Sequence, residues 1–235
     1  MIHEYKNETV DYNIIFKKRK TMGIYIDVYG HIELRVPKGT SQESIRHLLE
    51  SKWNWIQAKS KEQKERTNGF KEKVYNEGET FLYLGKSYPI IITIDENIKQ
   101  DYVLLEEDKL HLYVREQEDD RIKQALKRFY YQQCKTLVEK RIKLYQSNFK
   151  MKPRSIRISD NKSNWGTCDS KLQLTFNWKL AMAPMDSIDY VVVHEMCHMV
   201  HLNHDRSFWR LVGKILPDYE QRKHWLNQSS WKMVI

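Results

Sequence analysis

The chain has 235 residues, with 40 Lys+Arg against 31 Asp+Glu and a formal net charge of +9. Hydrophobic residues make up 40% and charged residues 30%, with only 8 Gly and 5 Pro, which excludes collagen-like, linker-like and disordered chains and leaves room for one large domain or two small ones. The longest apolar run, Tyr88 to Ile94, falls far short of the roughly 18–20 residues that span a bilayer.

Met1 to Asn13 lacks the apolar segment of a secretory signal. Tyr12 to Phe16 and Ile24 to Val28 are rich in β-branched and aromatic residues, and Ile32 to Val36 alternates as a half-buried strand does. Gly30 supplies a hairpin turn between the second and third strands. After the break at Pro37-Lys38-Gly39, Thr40 or Ser41 caps a helix with Ile45, Leu48, Leu49, Trp53 and Ile56 at three- and four-residue spacing. Lys59 to Lys73, with Asn68-Gly69 inside, reads as a solvated helix end and loop.

Strands return at Thr80–Leu84, Ser87–Ile94, Tyr102–Leu105 and Leu110–Val114. A long amphipathic helix follows from Arg121 to Phe149. No repeat is visible. The predicted fold class is α+β, with a β-rich region containing one helix over 1–116 and a catalytic core over 117–235.

The last third differs in kind. Four of nine histidines fall between His194 and His204, among several tryptophans. His194-Glu195-Met196-Cys197-His198 is an H-E-x-x-H motif, which these His and Glu frequencies would produce by chance about 0.03 times. On a helix, two histidines four apart share one face and reach a single zinc, while Glu195 leans over a metal-bound water as general base. Asp186 or Ser187 is the expected cap, Asp189 adds charge to the first turn, and the valines at 191–193 make the helix a buried one.

Catalytic zinc takes three protein ligands. His201 lies too far along the helix axis. His204 reaches the metal if the helix ends near Leu202 and the chain doubles back, with Asn203 in a left-handed exit. The ligand set is therefore read as His194, His198 and His204. Cys134, Cys168 and Cys197 form no C-x-x-C pair and read as reduced thiols, Cys168 as a buried one. Trp165, Trp178, Phe208 and Trp209 read as packing around this helix, Asp205 as the cap of the next one, and Tyr219 as a weaker candidate to stabilise an oxyanion.

Asn164-Trp165-Gly166-Thr167-Cys168, the stretches from Leu174 to Leu180 and from Ile188 to Glu195, Asn203-His204, Phe208-Trp209 and Leu216-Pro217-Asp218-Tyr219 resemble the YgjP-like metallopeptidase family. The likeness runs over roughly residues 12–230 and is densest from 163 to 226. It implies a small zincin-type core related to the SprT-like and Wss-type proteases, with zinc on the three named histidines. The ligand spacing equals that of metzincins, but His201 occupies their glycine position and no methionine turn follows.

Three functions compete at this stage. A zinc-dependent endopeptidase would use Glu195 as base and an edge strand near Leu172–Asn177 to pair with an extended peptide. A metal-dependent nuclease or RNA-maturation factor is favoured by the +9 charge but opposed by Glu195. A non-catalytic, nucleic-acid-associated protein with structural zinc would want a fourth ligand. The expected protein is a cytoplasmic zinc metallopeptidase acting on protein or peptide substrates, without a membrane partner. Lys17-Lys18-Arg19-Lys20, with Lys52, Lys59, Lys61, Lys64 and Arg66 on the helix and its exit, add an expectation of weak, sequence-independent nucleic-acid contact through phosphates. Nothing in the sequence speaks to oligomeric state.

Overall fold

The computed structural model describes residues 1–27, 29–67, 72–161 and 164–235; Val28 and the Asn68-Gly69 pair lie outside them. The chain divides into two compact units, residues 1–72 and 73–235. Helices and strands are mixed in both, as an α+β class requires. Among the described residues, no helix is long and apolar enough to cross a membrane.

In the first unit, β1 (Ile2–Tyr5), β2 (Glu8–Lys17), β3 (Gly23–Ile26) and β4 (Ile32–Pro37) precede helices α1 (Gln42–Ser51) and α2 (Trp53–Thr67). The sheet order is β1-β2-β4-β3, with β2 and β4 parallel and the other neighbours antiparallel. β1 was not expected, because its hairpin turns on Lys6-Asn7 at φ 54° and 62°, where the recognisable signal is an Asn-Gly or Asp-Gly pair. Alternation in β4 puts Ile32, Leu34 and Val36 on one face, buried with Val10 against Ile45, Leu49, Trp53 and Ile56. Ser41, not Thr40, caps α1, its hydroxyl accepting from the Ser44 amide at 3.2 Å. The apolar spacing read as one helix through Ile56 is served by two, parted at Lys52.

The second unit opens with β5 (Thr80–Tyr83), β6 (Lys86–Ile94), β7 (Tyr102–Glu106) and β8 (Lys109–Val114), in the order β5-β6-β8-β7. This is the first sheet's topology again. A shift of 78 residues carries the parallel pair Tyr12↔Ile32 onto Ile90↔Leu110. The Lys6-Asn7 turn becomes Leu84-Gly85, also with two positive φ angles. A structural repeat is therefore present where the sequence shows none, since a sheet needs only its apolar alternation and turn conformations preserved.

Helix α3 (Asp119–Tyr145) covers this second sheet. Its Ile122, Leu126, Phe129 and Tyr130 share one core with Phe81, Ile90, Leu110, Leu112 and Val114. Cys134, Val138 and Ile142 of the same helix extend that core toward the C-terminal elements. These are β9 (Ser155–Ser159), β10 (Gly166–Cys168), β11 (Gln173–Asn177), α4 (Met185–His198), α5 (Arg206–Ile215) and α6 (Tyr219–Ser229). The division thus falls at 72/73 and not at the expected 116/117, because the strands between 80 and 114 bury their faces on α3.

Asp101 fastens the start of β7 to that helix. It is buried, its Oδ1 accepts from the Arg115 amide at 3.0 Å and Arg121 Nη2 at 3.1 Å, and its carbonyl accepts from Arg128 Nη2 at 2.7 Å. Burial alone would raise its pKa, but the Arg115 amide and the Arg121 charge hold the carboxyl below the ordinary value. A depressed pKa stabilises the fold above the unfolded value, about 3.9, and that contribution is lost as pH falls through the folded one. Asp101→Asn should therefore cost about 1.5–3 kcal/mol at pH 7. Urea unfolding at pH 7 and pH 3 checks this: the gap from the parent protein should shrink at the lower pH.

Candidate metal centre

α4 begins directly after Pro184 (φ −57°, ψ 151°), and the preceding short turn of 3₁₀ helix ends at Met182, with Ala183 already extended. Neither expected residue caps it. Asp186 stands in the first turn, and Ser187 is buried with its hydroxyl donating to the Arg222 carbonyl at 3.1 Å. Ser187 to Val193 are all buried, as are Glu195, Met196 and Cys197. A helix apolar on every side belongs in a core. His194 and His198 are the partly exposed members of its last turns.

Asp189 is the polar exception, with its side chain 5% exposed. The Arg141 guanidinium of α3 grips it through both branches, Nε to Oδ1 and Nη2 to Oδ2 at 2.7 Å. Arg222 of α6 adds Nη1 at 3.6 Å from Oδ2. Its role is thus a buried ion pair linking three helices, beyond the first-turn charge expected of it.

α4 ends at His198, earlier than foreseen, and the chain reverses before α5. Asn203 is not left-handed. The exit is instead held by amides of Met199, Val200 and His201 donating back to Met196 and Cys197 carbonyls. Asp205 caps α5, accepting from the Phe208 amide at 2.9 Å.

That reversal brings His204 onto the face of α4. Its Nε2 lies 2.9 Å from His194 Nε2 and 3.1 Å from His198 Nε2, and the three form a group able to hold a metal ion. His198 Nδ1 stands 3.0 Å from the His201 carbonyl. A carbonyl only accepts, so Nδ1 carries the proton and Nε2 presents its lone pair. Burial first, then His198 and His204, push the His194 pKa down to about 3; burial likewise lowers that of His198. Neutral imidazoles with converging lone pairs are a zinc donor set: at 2.0–2.1 Å and tetrahedral angles, ligand nitrogens stand about 3.3 Å apart. The residues present fit the ion.

His201 stays out of this cluster, its ring bonded to Ser207 Oγ at 3.1 Å; it contributes through its carbonyl. Phe208 packs at 4.6–4.9 Å from all three imidazoles. His204 stacks on Trp209 at 5.7 Å, Trp209 on Tyr219 at 5.3 Å, and Tyr219 on Tyr190 at 6.4 Å. This wall places Tyr219 behind Trp209, with its hydroxyl on Glu220, while Tyr190 lines the cleft. Tyr219 is therefore not positioned as an oxyanion donor. Trp178 packs on Tyr130 and Tyr131 of α3, within the core that also holds the buried residues of α4.

The cleft above the histidines measures about 510 Å³, and Trp165, Gly166, Thr167 and Cys168 form one wall. β11 pairs with both β10 and β9, so it offers no edge; β10 is the outer strand beside the cleft. Cys168 is half-buried there, not sealed in the core, and its thiol is pushed up to about 11 by burial and then by Glu195.

Glu195 is 5% exposed, and burial pushes its carboxyl up to about 8. A Cβ on Gly166 would stand 2.6 Å from its Cγ and 2.8 Å from its Oε1. The Trp165-Gly166 step is thus a close approach that only glycine permits.

A family model, the YgjP-like metallopeptidase domain, matches residues 20–229. The chain belongs to that metallopeptidase family. Neither a curated protein nor a solved structure matches it.

Gly166→Ala should displace the Glu195 carboxylate and cost about 1–3 kcal/mol, the usual penalty of overpacking. Thermal unfolding measures the loss, and metal content should be retained because the three atoms nearest the added methyl all belong to Glu195.

Proposed function

We propose that this member of the YgjP-like metallopeptidase family is a zinc-dependent endopeptidase whose ion is held by His194, His198 and His204 and whose general base is Glu195. The observation that carries the reading is the convergence of three imidazole Nε2 atoms, 2.9 and 3.1 Å apart, beside one buried carboxylate. Zinc bound there supplies Lewis acidity, polarising a scissile carbonyl and acidifying water toward neutral pH.

The chain's own groups do the rest. Glu195 takes the proton of the attacking water on a carboxylate oxygen and returns it to the leaving amine nitrogen. Because Glu195 is the residue after His194 on the helix, it borders the ligand face without occupying it. The His201 carbonyl fixes the His198 tautomer, the kind of outer contact that orients a ligating imidazole. The outer edge of β10 offers backbone groups to an extended peptide, laying its scissile bond over the histidines. Phe208 and Trp209 pack against the His204 ring.

Two sets of variants test this. His204→Ala should strip zinc or weaken its binding by at least about tenfold, while His201→Ala, which keeps the carbonyl, should retain it; atomic emission of dialysed protein reads the difference. Loss of zinc from His201→Ala with retention in His204→Ala would overturn the ligand set. Glu195→Gln should keep zinc and fold, yet lower hydrolysis of unfolded protein substrates by about 100- to 10,000-fold. Undiminished turnover would remove Glu195 from the mechanism.

A further inference from the structure

The repeated topology allows one sheet to be read against the other. In each, one face is covered by helix and the opposite face is open. On the open face of the second sheet, Tyr102 and Tyr113 stand opposite each other in register and stack at 4.7 Å. At the matching places in the first sheet stand Gly23 and Arg35. The glycine leaves a space: a Cβ there would meet the Tyr25 ring at 3.1 Å and Arg19 Nη2 at 3.2 Å. Arg35 lies over the same ring, its guanidinium carbon 3.8 Å from the centroid.

Two guanidinium groups therefore flank one phenol at the corner of the sheet. Arg35 is paired with Glu33. Arg19, Lys17, Lys18 and Lys20 meet no carboxylate among the described residues. Ile15 and Lys17 lie on the same face, since Ile15 stands opposite Arg35 in register. Tyr25 is 41% exposed and Ile15 36%. These cations have no carboxylate partner among the described residues and can take anions, and guanidinium forks match phosphate in particular. A flat sheet face with an exposed ring on its edge strand suits unstacked bases better than a duplex, whose bases are hidden.

We propose that the open face of the N-terminal sheet binds single-stranded nucleic acid without sequence preference, with Lys17, Lys18, Arg19 and Lys20 on phosphates and Tyr25, backed by Arg35, as a platform for a base. The assignment stands apart from the metal centre: every residue it uses lies in the first unit.

Fluorescence anisotropy of the full-length protein with labelled 20-mers of dT and of rU, beside a 20-base-pair duplex, tests it. Both single strands should bind at about 50 mM salt, more tightly than the duplex, and log K should fall by about 0.7 per log unit of salt for each phosphate neutralised. K17Q/K18Q/K20Q should reduce that slope by about 2. Tyr25→Leu should weaken binding about 5- to 150-fold and leave the slope unchanged. A merely damaged sheet would instead move slope and affinity together, and circular dichroism of each variant separates that case. No binding at 50 mM salt overturns the proposal. So does equal affinity for duplex, or for vesicles of anionic phospholipid, which would make the face a general anion surface.

Discussion

A single carboxylate, Asp189, governs the placement of everything at the metal centre. It sits one turn and a residue before His194 on a helix with no solvated side, and Arg141 and Arg222 answer its charge from α3 and α6. A buried charge left unpaired is costly, whereas a bidentate, hydrogen-bonded pair is tolerated. The helix is therefore fixed in rotation and in height by one residue, and apolar burial alone could not do this. Valine side chains on every face tell a helix to be inside but not which way to turn.

That fixed orientation makes the remaining tolerances tight. The reversal after His198 delivers His204 to within hydrogen-bond distance of both helix histidines, and an aromatic wall of Trp209, Tyr219 and Tyr190 holds its ring from behind. On the opposite side, Glu195 is pressed against Gly166 with no space for a methyl. The histidine face and Glu195 are thus clamped by two elements far apart in the sequence. Rigid placement of this kind is what a hydrolytic site requires, since misplacement of about 1 Å is costly in rate.

The duplicated four-stranded topology gives the two units different uses for one architecture. In the second, α3 covers the sheet on one side and carries Arg141 to Asp189 at its far end. In the first, α1 and α2 cover the sheet with a small core of their own. The open face there carries Gly23 and Arg35 where the other carries stacked tyrosines.

Much of this was legible in the sequence. The shared face of His194 and His198 and the remoteness of His201 follow from helical geometry, which is local and periodic, and the search for a third histidine follows from zinc coordination. The strand at 32–36 followed from alternation, those at 87–94 and 110–114 from short β-branched and apolar runs, and the Asp205 cap from its place before an apolar-periodic run. What tertiary structure alone decided involves partners far apart in the chain. The β1 hairpin, the boundary at 72/73 and the repeat depend on turn conformations and on which helix each sheet face meets. The Asp189–Arg141 pair spans 48 residues, and the Gly166–Glu195 contact appears only when β10 is laid beside α4. Local pattern dictates which face of an element is apolar; the identity of what covers that face is settled only by packing.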